Sequence, residues 1–227
     1  QLDDLILRLK ANPMLRVQSV FSHLAASDKP QFDEYTQEQI ARFELLSNQI
    51  LKAIHYPISR HILNTSGIIR FPGAAYDMVR LGIGLYGVPA NAAEEEGLMP
   101  VIALKSTISQ IKMLKPGESV GYNRASFVDR PTRLGVVPVG YADGLPRRLG
   151  NRQGHLWVKG EKVPVLGDVC MDMCMIDLTD HEAVEGDPVV VFDDAFKLKQ
   201  LAAAAETIPY EILTRISRRV KRVYFQE

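Results

Sequence analysis

Several things are scarce in this 227-residue sequence. It has two cysteines, Cys170 and Cys174, and one tryptophan, too little for a disulfide scaffold, so a reducing cytoplasm is the expected setting. It has no charge excess, with 27 Lys and Arg against 27 Asp and Glu. That excludes a generic polycation for DNA or RNA and removes charge as a reason to sit on an acidic membrane surface. No apolar run approaches the ~20 residues a membrane helix needs, and no signal peptide is visible. The cysteine pair has no second pair beside it and the five histidines are scattered, so no metal site is expected. Repeats and low-complexity tracts are absent. What remains is ordinary globular material, 46% hydrophobic, enough for one or two domains with a real core. The chain starts at Gln1, and its first ten residues already carry a helical stripe, so we expect a piece of a longer protein.

The patterning changes along the chain. Leu2, Leu5, Ile6 and Leu9 predict an amphipathic helix ending near Asn12-Pro13, and residues 34 to 54 carry a second, longer stripe. Between and after them, residues 15–22, 60–64 and 76–87 read as strands. Strand, helix, strand, helix, strand is the grammar of a parallel sheet or a (β/α) barrel, and three strands are too few to close a barrel. A linker with Glu94-Glu95-Glu96 runs from Pro89 to Pro100. Beyond it, short β-like runs recur at 101–112, 133–139, 155–158, 163–166, 174–178 and 188–192, separated by turn signals, which predicts an all-β module. An Ala-rich helix from Leu198 to Thr207 and a last strand over 222–225 complete the expectation.

Four segments could carry chemistry. Val139-Gly140-Tyr141-Ala142-Asp143-Gly144 runs a strand into a tight turn, with a phenol that is either an acid–base group or a core-edge side chain. Cys170 and Cys174 flank Met171-Asp172-Met173 and read best as small buried hydrophobes. His61-Ile62-Leu63-Asn64-Thr65-Ser66-Gly67 leads a strand into hydroxyls and a glycine, either a phosphate loop or a helix capped by Thr65 or Ser66. Residues 79–87 space glycines at a strand end beside Arg80, but they are not the dinucleotide fingerprint, and Arg80 alone would pass for a surface residue.

Taken in order, these segments resemble the alanine racemases. The likeness is carried by Ser22-His23-Leu24-Ala25, His61 to Thr65, Val79 to Ile83, Leu85-Tyr86-Gly87, Gly117 to Tyr122, Gly140 to Gly144, Gly167 to Asp172 and Ile216 to Val223. The resemblance implies an α/β plus all-β fold: the C-terminal part of a (β/α)8 barrel over residues 1–97, binding pyridoxal 5'-phosphate, then a β-rich domain over 98–227. It implies a bacterial amino-acid racemase that interconverts L- and D-alanine through an imine with that cofactor, by a two-base mechanism, and supplies D-alanine for peptidoglycan. It implies a homodimer whose active site is shared across the interface.

Roles follow residue by residue from the same resemblance. Tyr141 matches the catalytic tyrosine. Arg80 matches the arginine facing the pyridine nitrogen, and Asn64, Thr65, Ser66, Gly82 and Ile83 match the phosphate side. Met171, with Cys170 and Asp172, matches the turn that holds the substrate carboxylate. Arg218 stands where the family often has a tyrosine near the phosphate, and Asp168 where several relatives have arginine. No lysine here sits in a context matching the Schiff-base lysine, so residues 1–227 alone are expected to be inactive. Alternative readings are the racemase part of a fusion with the ligase that adds D-Ala-D-Ala, a serine racemase, or a non-catalytic cofactor-carrier or interaction module.

Overall fold

A computed structural model describes residues 1–89, 97–124 and 126–225, so the acidic centre of the expected linker lies outside the described residues. The chain divides into two compact units, Gln1–Met99 and Pro100–Glu227.

In the first unit, α1 (Leu2–Ala11) forms where the stripe predicts it, with Asp3 and Asp4 in its first turn and Arg8 and Lys10 in its last, each sign favoured by the helix dipole. Its apolar face, Leu2, Ile6 and Leu9, packs on Ile50, Ile54 and Ile58 around α2 (Asp33–Ala53). β1 (Ser19–Phe21) and β2 (Ser59–His61) pair in parallel, Phe21 opposite His61. Both strands are shorter than the sequence suggests. Behind them Leu24, Phe43, Ile62, Leu63 and Ala74 make the local core. After β2 comes α3 (Thr65–Arg70).

The third strand expected over 76–87 does not form; Ile83–Tyr86 is a 3-10 turn instead. The cause is local. Asp77 N–H bonds the Arg60 carbonyl at 3.1 Å, but its carboxylate takes the Arg60 N–H at 2.8 Å, where a ladder would need a backbone carbonyl. The segment still runs beside β2, and Arg80 N–H reaches the Leu63 carbonyl at 3.0 Å.

The second unit contains β3 (Leu104–Thr107), β4 (Gln110–Leu114), β5 (Ser119–Val120), β6 (Ser126–Phe127), β7 (Thr132–Val137), β8 (His155–Val158), β9 (Glu161–Leu166), β10 (Cys174–Asp177) and β11 (Pro188–Phe192), then α4 (Ala195–Ala204) and α5 (Pro209–Arg215). β5 and β6 pair alone; the other seven form an antiparallel sheet in the order β3-β11-β8-β9-β10-β7-β4. The single run expected over 101–112 is thus two strands at opposite edges of the sheet, joined only by Ile108 and Ser109. Three chain steps reach about 11 Å at most, so the sheet curls to bring its edges together. Ile108 N–H bonds the Asp187 carbonyl at 3.0 Å and Ser109 N–H the Val136 carbonyl at 2.8 Å, tying the joint to both sides. Leu156, Val163, Val165, Ile176, Leu178, Val189, Val191 and Phe192 fill the interior, all buried. Asp194 caps α4, its carboxylate accepting Lys197 N–H at 2.7 Å. The strand expected over 222–225 is absent: Val223, Tyr224 and Phe225 lie exposed.

Candidate active site

The first unit gathers its candidate residues at the C-terminal ends of β1 and β2, where parallel α/β sheets bind ligands. Asn64 is the residue that caps α3: its side-chain oxygen accepts Gly67 N–H at 2.9 Å and the Ser27 hydroxyl at 2.8 Å. Neither Thr65 nor Ser66 serves as the cap. Both are buried at the start of the helix. Thr65 Oγ1 accepts N–H groups from Gly82 at 3.0 Å and Gly84 at 3.3 Å, which folds the Gly82–Gly87 loop over the helix start. A Cβ on Gly84 would fall 2.6 Å from Thr65 Cγ2, so the loop closes this tightly only with glycine there. At Gly82 a Cβ would meet nothing nearer than Thr65 Oγ1 at 3.6 Å, so the space beside that backbone is open. Ile83, next in the loop, is buried.

Arg80 is pinned across both strand ends. One guanidinium nitrogen donates to the Ser22 carbonyl at 2.7 Å and contacts His23 Nδ1 at 3.2 Å; the other meets His61 Nδ1 at 2.5 Å. The guanidinium also lies 5.4 Å from the centre of the Phe21 ring, which itself stacks on His61. A guanidinium has only donors, so His61 Nδ1 must present its lone pair and the ring is neutral. Burial, and after it the Arg80 charge, holds the His61 pKa below its ordinary value, in keeping with that protonation state.

The second unit brings its candidates together on two neighbouring turns. Tyr141 N–H bonds the Cys170 carbonyl and Ala142 N–H the Met171 carbonyl, both at 3.0 Å, zipping the 140–144 turn onto the 169–173 turn. Gly140 makes the approach possible, since a Cβ there would lie 2.3 Å from the Met171 carbonyl oxygen. The Asp143 carboxylate accepts Gly140 N–H at 2.8 Å and fixes the turn, and Gly144 leaves it at φ 116°, a conformation that favours glycine. Tyr141 and Met171 are exposed on this unit, 45% and 53%. Asp172 is exposed beside them. The surroundings of Cys170 and Cys174 disfavour the thiolate form. Burial, with a smaller contribution from Cys170, pushes the Cys174 thiol up to about 12, and burial, with the Asp168 charge, raises Cys170. Among the described residues no group of His, Cys, Asp or Glu is placed to hold a metal.

Sequence reasoning singled out Arg218, which is exposed in the turn after α5. It passed over the next residue. Arg219 donates through Nε to Asp143 at 2.8 Å and through a terminal nitrogen to Asp172 at 2.7 Å, so it spans both turns. Nothing in the run Arg218-Arg219-Val220-Lys221-Arg222 marks one cation over another. Asp168, by contrast, is tied to Arg147 at 2.6 Å and Asn151 at 2.9 Å.

Comparison with known proteins places this geometry. The family model for the alanine racemase N-terminal domain matches residues 1–90, and that for the alanine racemase C-terminal domain matches residues 101–224. The alanine racemase of Thermobifida fusca is 38% identical over 222 residues, 96% of this chain and 59% of that protein. Among solved structures, the alanine racemase of Streptomyces coelicolor superposes with a TM-score of 0.88 at 33% identity, over 100% of this chain and 61% of that one. That of Bartonella henselae, with covalently bound pyridoxal phosphate, superposes at 0.83 and 29% identity, over 99% and 61%. The chain therefore spans about three-fifths of the length of the relatives it matches.

Proposed function

Because this chain belongs to the alanine racemase family, we propose that the protein of which it forms part interconverts L- and D-alanine with pyridoxal 5'-phosphate, and that Tyr141 is one of its two bases. The observation that carries the reading is the pair of backbone bonds that sets the exposed Tyr141 phenol beside the exposed Met171 peptide.

The strand-end loop fits the cofactor. Its polar groups include no carboxylate: the hydroxyls of Thr65 and Ser66 and the backbone N–H of Ile83 stand around an opening beside Gly82, with the Gly82 and Gly84 N–H groups held on Thr65 Oγ1. Such a set suits a phosphate dianion. When bound, the cofactor supplies an electron sink that acidifies the α-hydrogen of the amino acid. Arg80 would donate a hydrogen bond to the ring nitrogen without giving it a proton, because a guanidinium keeps its protons in a protein. By withholding a proton from that nitrogen, Arg80 would make the bound cofactor a weaker sink than a carboxylate would, favouring return of the proton to the α-carbon over side reactions. His61 and the Ser22 carbonyl hold the guanidinium in place for that task.

Inversion at a carbon needs one group to remove the proton and another to return one from the opposite face. Tyr141 Oη serves one face, and the Met171 N–H holds the substrate carboxylate. The second base would be a lysine that also holds the cofactor. Residues 61–89, which form the strand-end site, contain no lysine, and we assign that group to a part of the protein outside residues 1–227. Residues 1–227 alone should therefore show no turnover in a coupled D/L-alanine assay with added cofactor. Within the complete enzyme the two units described here would meet across a homodimer, Tyr141 and Met171 of one subunit serving the cofactor held by the other. The setting is the bacterial cytoplasm, and the product is D-alanine for the cell wall.

Replacement of Tyr141 by Phe in the complete enzyme tests the assignment. It should suppress exchange of the α-hydrogen of L-alanine with solvent deuterium far more than that of D-alanine. Equal losses from the two enantiomers would exclude Tyr141 as a one-face base.

A further inference from the structure

The turn that carries Tyr141 and the turn that carries Met171 are joined in two ways. Backbone bonds join them directly, and one side chain from a third segment bridges the carboxylates flanking each. We propose that Arg219 is a positioning residue for the racemase reaction: its two-armed contact with Asp143 and Asp172 holds the phenol and the carboxylate-binding peptide in register and cancels the Asp172 charge beside that peptide. The inference rests on the function proposed above and names a residue that function does not itself require.

The two arms do different things. Asp143 is half-buried, and its carboxylate is shared between Gly140 N–H, through Oδ2, and Arg219 Nε, through Oδ1. The Asp143 carbonyl also accepts Ser217 N–H at 3.0 Å, so the segment bearing Arg219 is fastened to the turn it steadies. This arm fixes the backbone on both sides of Tyr141. Asp172 follows Met171 directly and is exposed. An anionic carboxylate next to a peptide N–H that must take the substrate's own carboxylate opposes binding, unless a cation neutralises it. Arg219 supplies that cation at 2.7 Å. Its planar fork reaches two carboxylates at once through separate nitrogens, which an ammonium group does not reproduce with the same geometry. The bonds to Asp143 and then to Asp172 raise the Arg219 pKa above its ordinary value.

The arms separate in kinetics of the complete enzyme. Arg219→Gln should raise KM for both alanine enantiomers about five-fold, the effect of one partly screened ion pair, and should lower kcat as the Tyr141 turn loosens. Adding Asp172→Asn to that variant should bring KM back towards wild type, because the uncancelled charge has gone, while kcat stays low. Arg219→Lys keeps the charge without the fork and should hold KM near wild type with kcat reduced. A double variant whose KM equals that of Arg219→Gln overturns the charge arm. Amide hydrogen exchange read on the same proteins gives an activity-free measure. Exchange should quicken in segments 139–145 and 169–174 and stay unchanged in 188–192. Unchanged exchange in the two turns overturns the clamp. If Arg219→Gln loosens 188–192 as well, Arg219→Lys is read in its place. Should the complete wild-type enzyme fail to racemise alanine, the proposed function falls, and the exchange measurement still decides whether Arg219 ties the turns together.

Discussion

A guanidinium can only donate, which is a strong constraint on the imidazole it meets at 2.5 Å. Arg80 forces His61 to be neutral, and burial acts in the same direction. The consequence is a pH dependence of stability with a definite sign. Above the ordinary histidine value of 6.5 the ring is neutral in both folded and unfolded chains, and its contribution is intact. As pH falls below that value the unfolded chain takes a proton that the folded site refuses, so stability is lost until the pH passes the lower folded value. His155 acts in the same window, held low by burial and then by Lys162, against a bond to Gln200 that pulls the other way. Urea midpoints at about pH 7.5 and about pH 5.5 should differ in wild type, and the difference should shrink in His61→Asn. An undiminished difference would remove His61 from the account. Thr65 is constrained in another way. Its hydroxyl is buried and accepts two backbone N–H groups. Thr65→Val keeps the shape and strands both donors, at a cost of about 1–3 kcal/mol each where no water replaces the hydroxyl. Thr65→Ser should restore most of that loss in a thermal melt, whereas a Val variant as stable as wild type would show that solvent reaches the loop.

At the scale of elements, the second unit depends on turns that approach more closely than side chains permit. Gly140→Ala puts a methyl 2.3 Å from one carbonyl oxygen and 2.4 Å from another, both backbone, so the two turns must separate. We expect a loss of about 1–3 kcal/mol from overpacking. Activity should fall by a larger factor than stability accounts for, because the bonds at Tyr141 and Ala142 are the ones that stretch. The same two turns show what the sequence could and could not reveal. The Gly-Tyr-Ala-Asp-Gly turn was legible because glycine and aspartate have fixed meanings in tight turns. Helical stripes in α1 and α2 are legible because one face of each packs on apolar neighbours, and the runs at His155–Val158 and Pro188–Phe192 form strands over those same residues. Where side chains replace backbone in a ladder, patterning fails. Residues 76–87 have strand composition, yet the Asp77 carboxylate occupies the donor of Arg60 and the strand is lost. Val223, Tyr224 and Phe225 have strand-forming side chains and lie exposed. The run at 101–112 has no break in pattern to show that it passes from one edge of the sheet to the other at Ile108 and Ser109. Arg219 was invisible for a different reason, since its role depends on two carboxylates 76 and 47 residues away.

At the scale of the whole molecule, the proposed function divides one chemistry between the two units. On that reading the strand-end loops would supply donors for a phosphate and a ring nitrogen, and the β-rich unit a phenol and a peptide N–H. If each active site combines the first unit of one subunit with the second unit of its partner, damage to the two halves should complement. Consider complete chains bearing Tyr141→Phe and complete chains bearing Arg80→Ala, each expected to be nearly inactive as a homodimer. Mixed after dissociation, half of the dimers are heterodimers, and in each of these one site carries both lesions while the other carries none. Such a mixture should regain about a quarter of wild-type turnover, as a two-fold interface that exchanges equivalent residues requires. A site built within one chain gives the opposite result, because every site then keeps one lesion and mixing restores nothing. Activity no greater than the mean of the two parents, in a mixture shown by mass spectrometry to contain heterodimers, would therefore return Tyr141 to the cofactor of its own subunit.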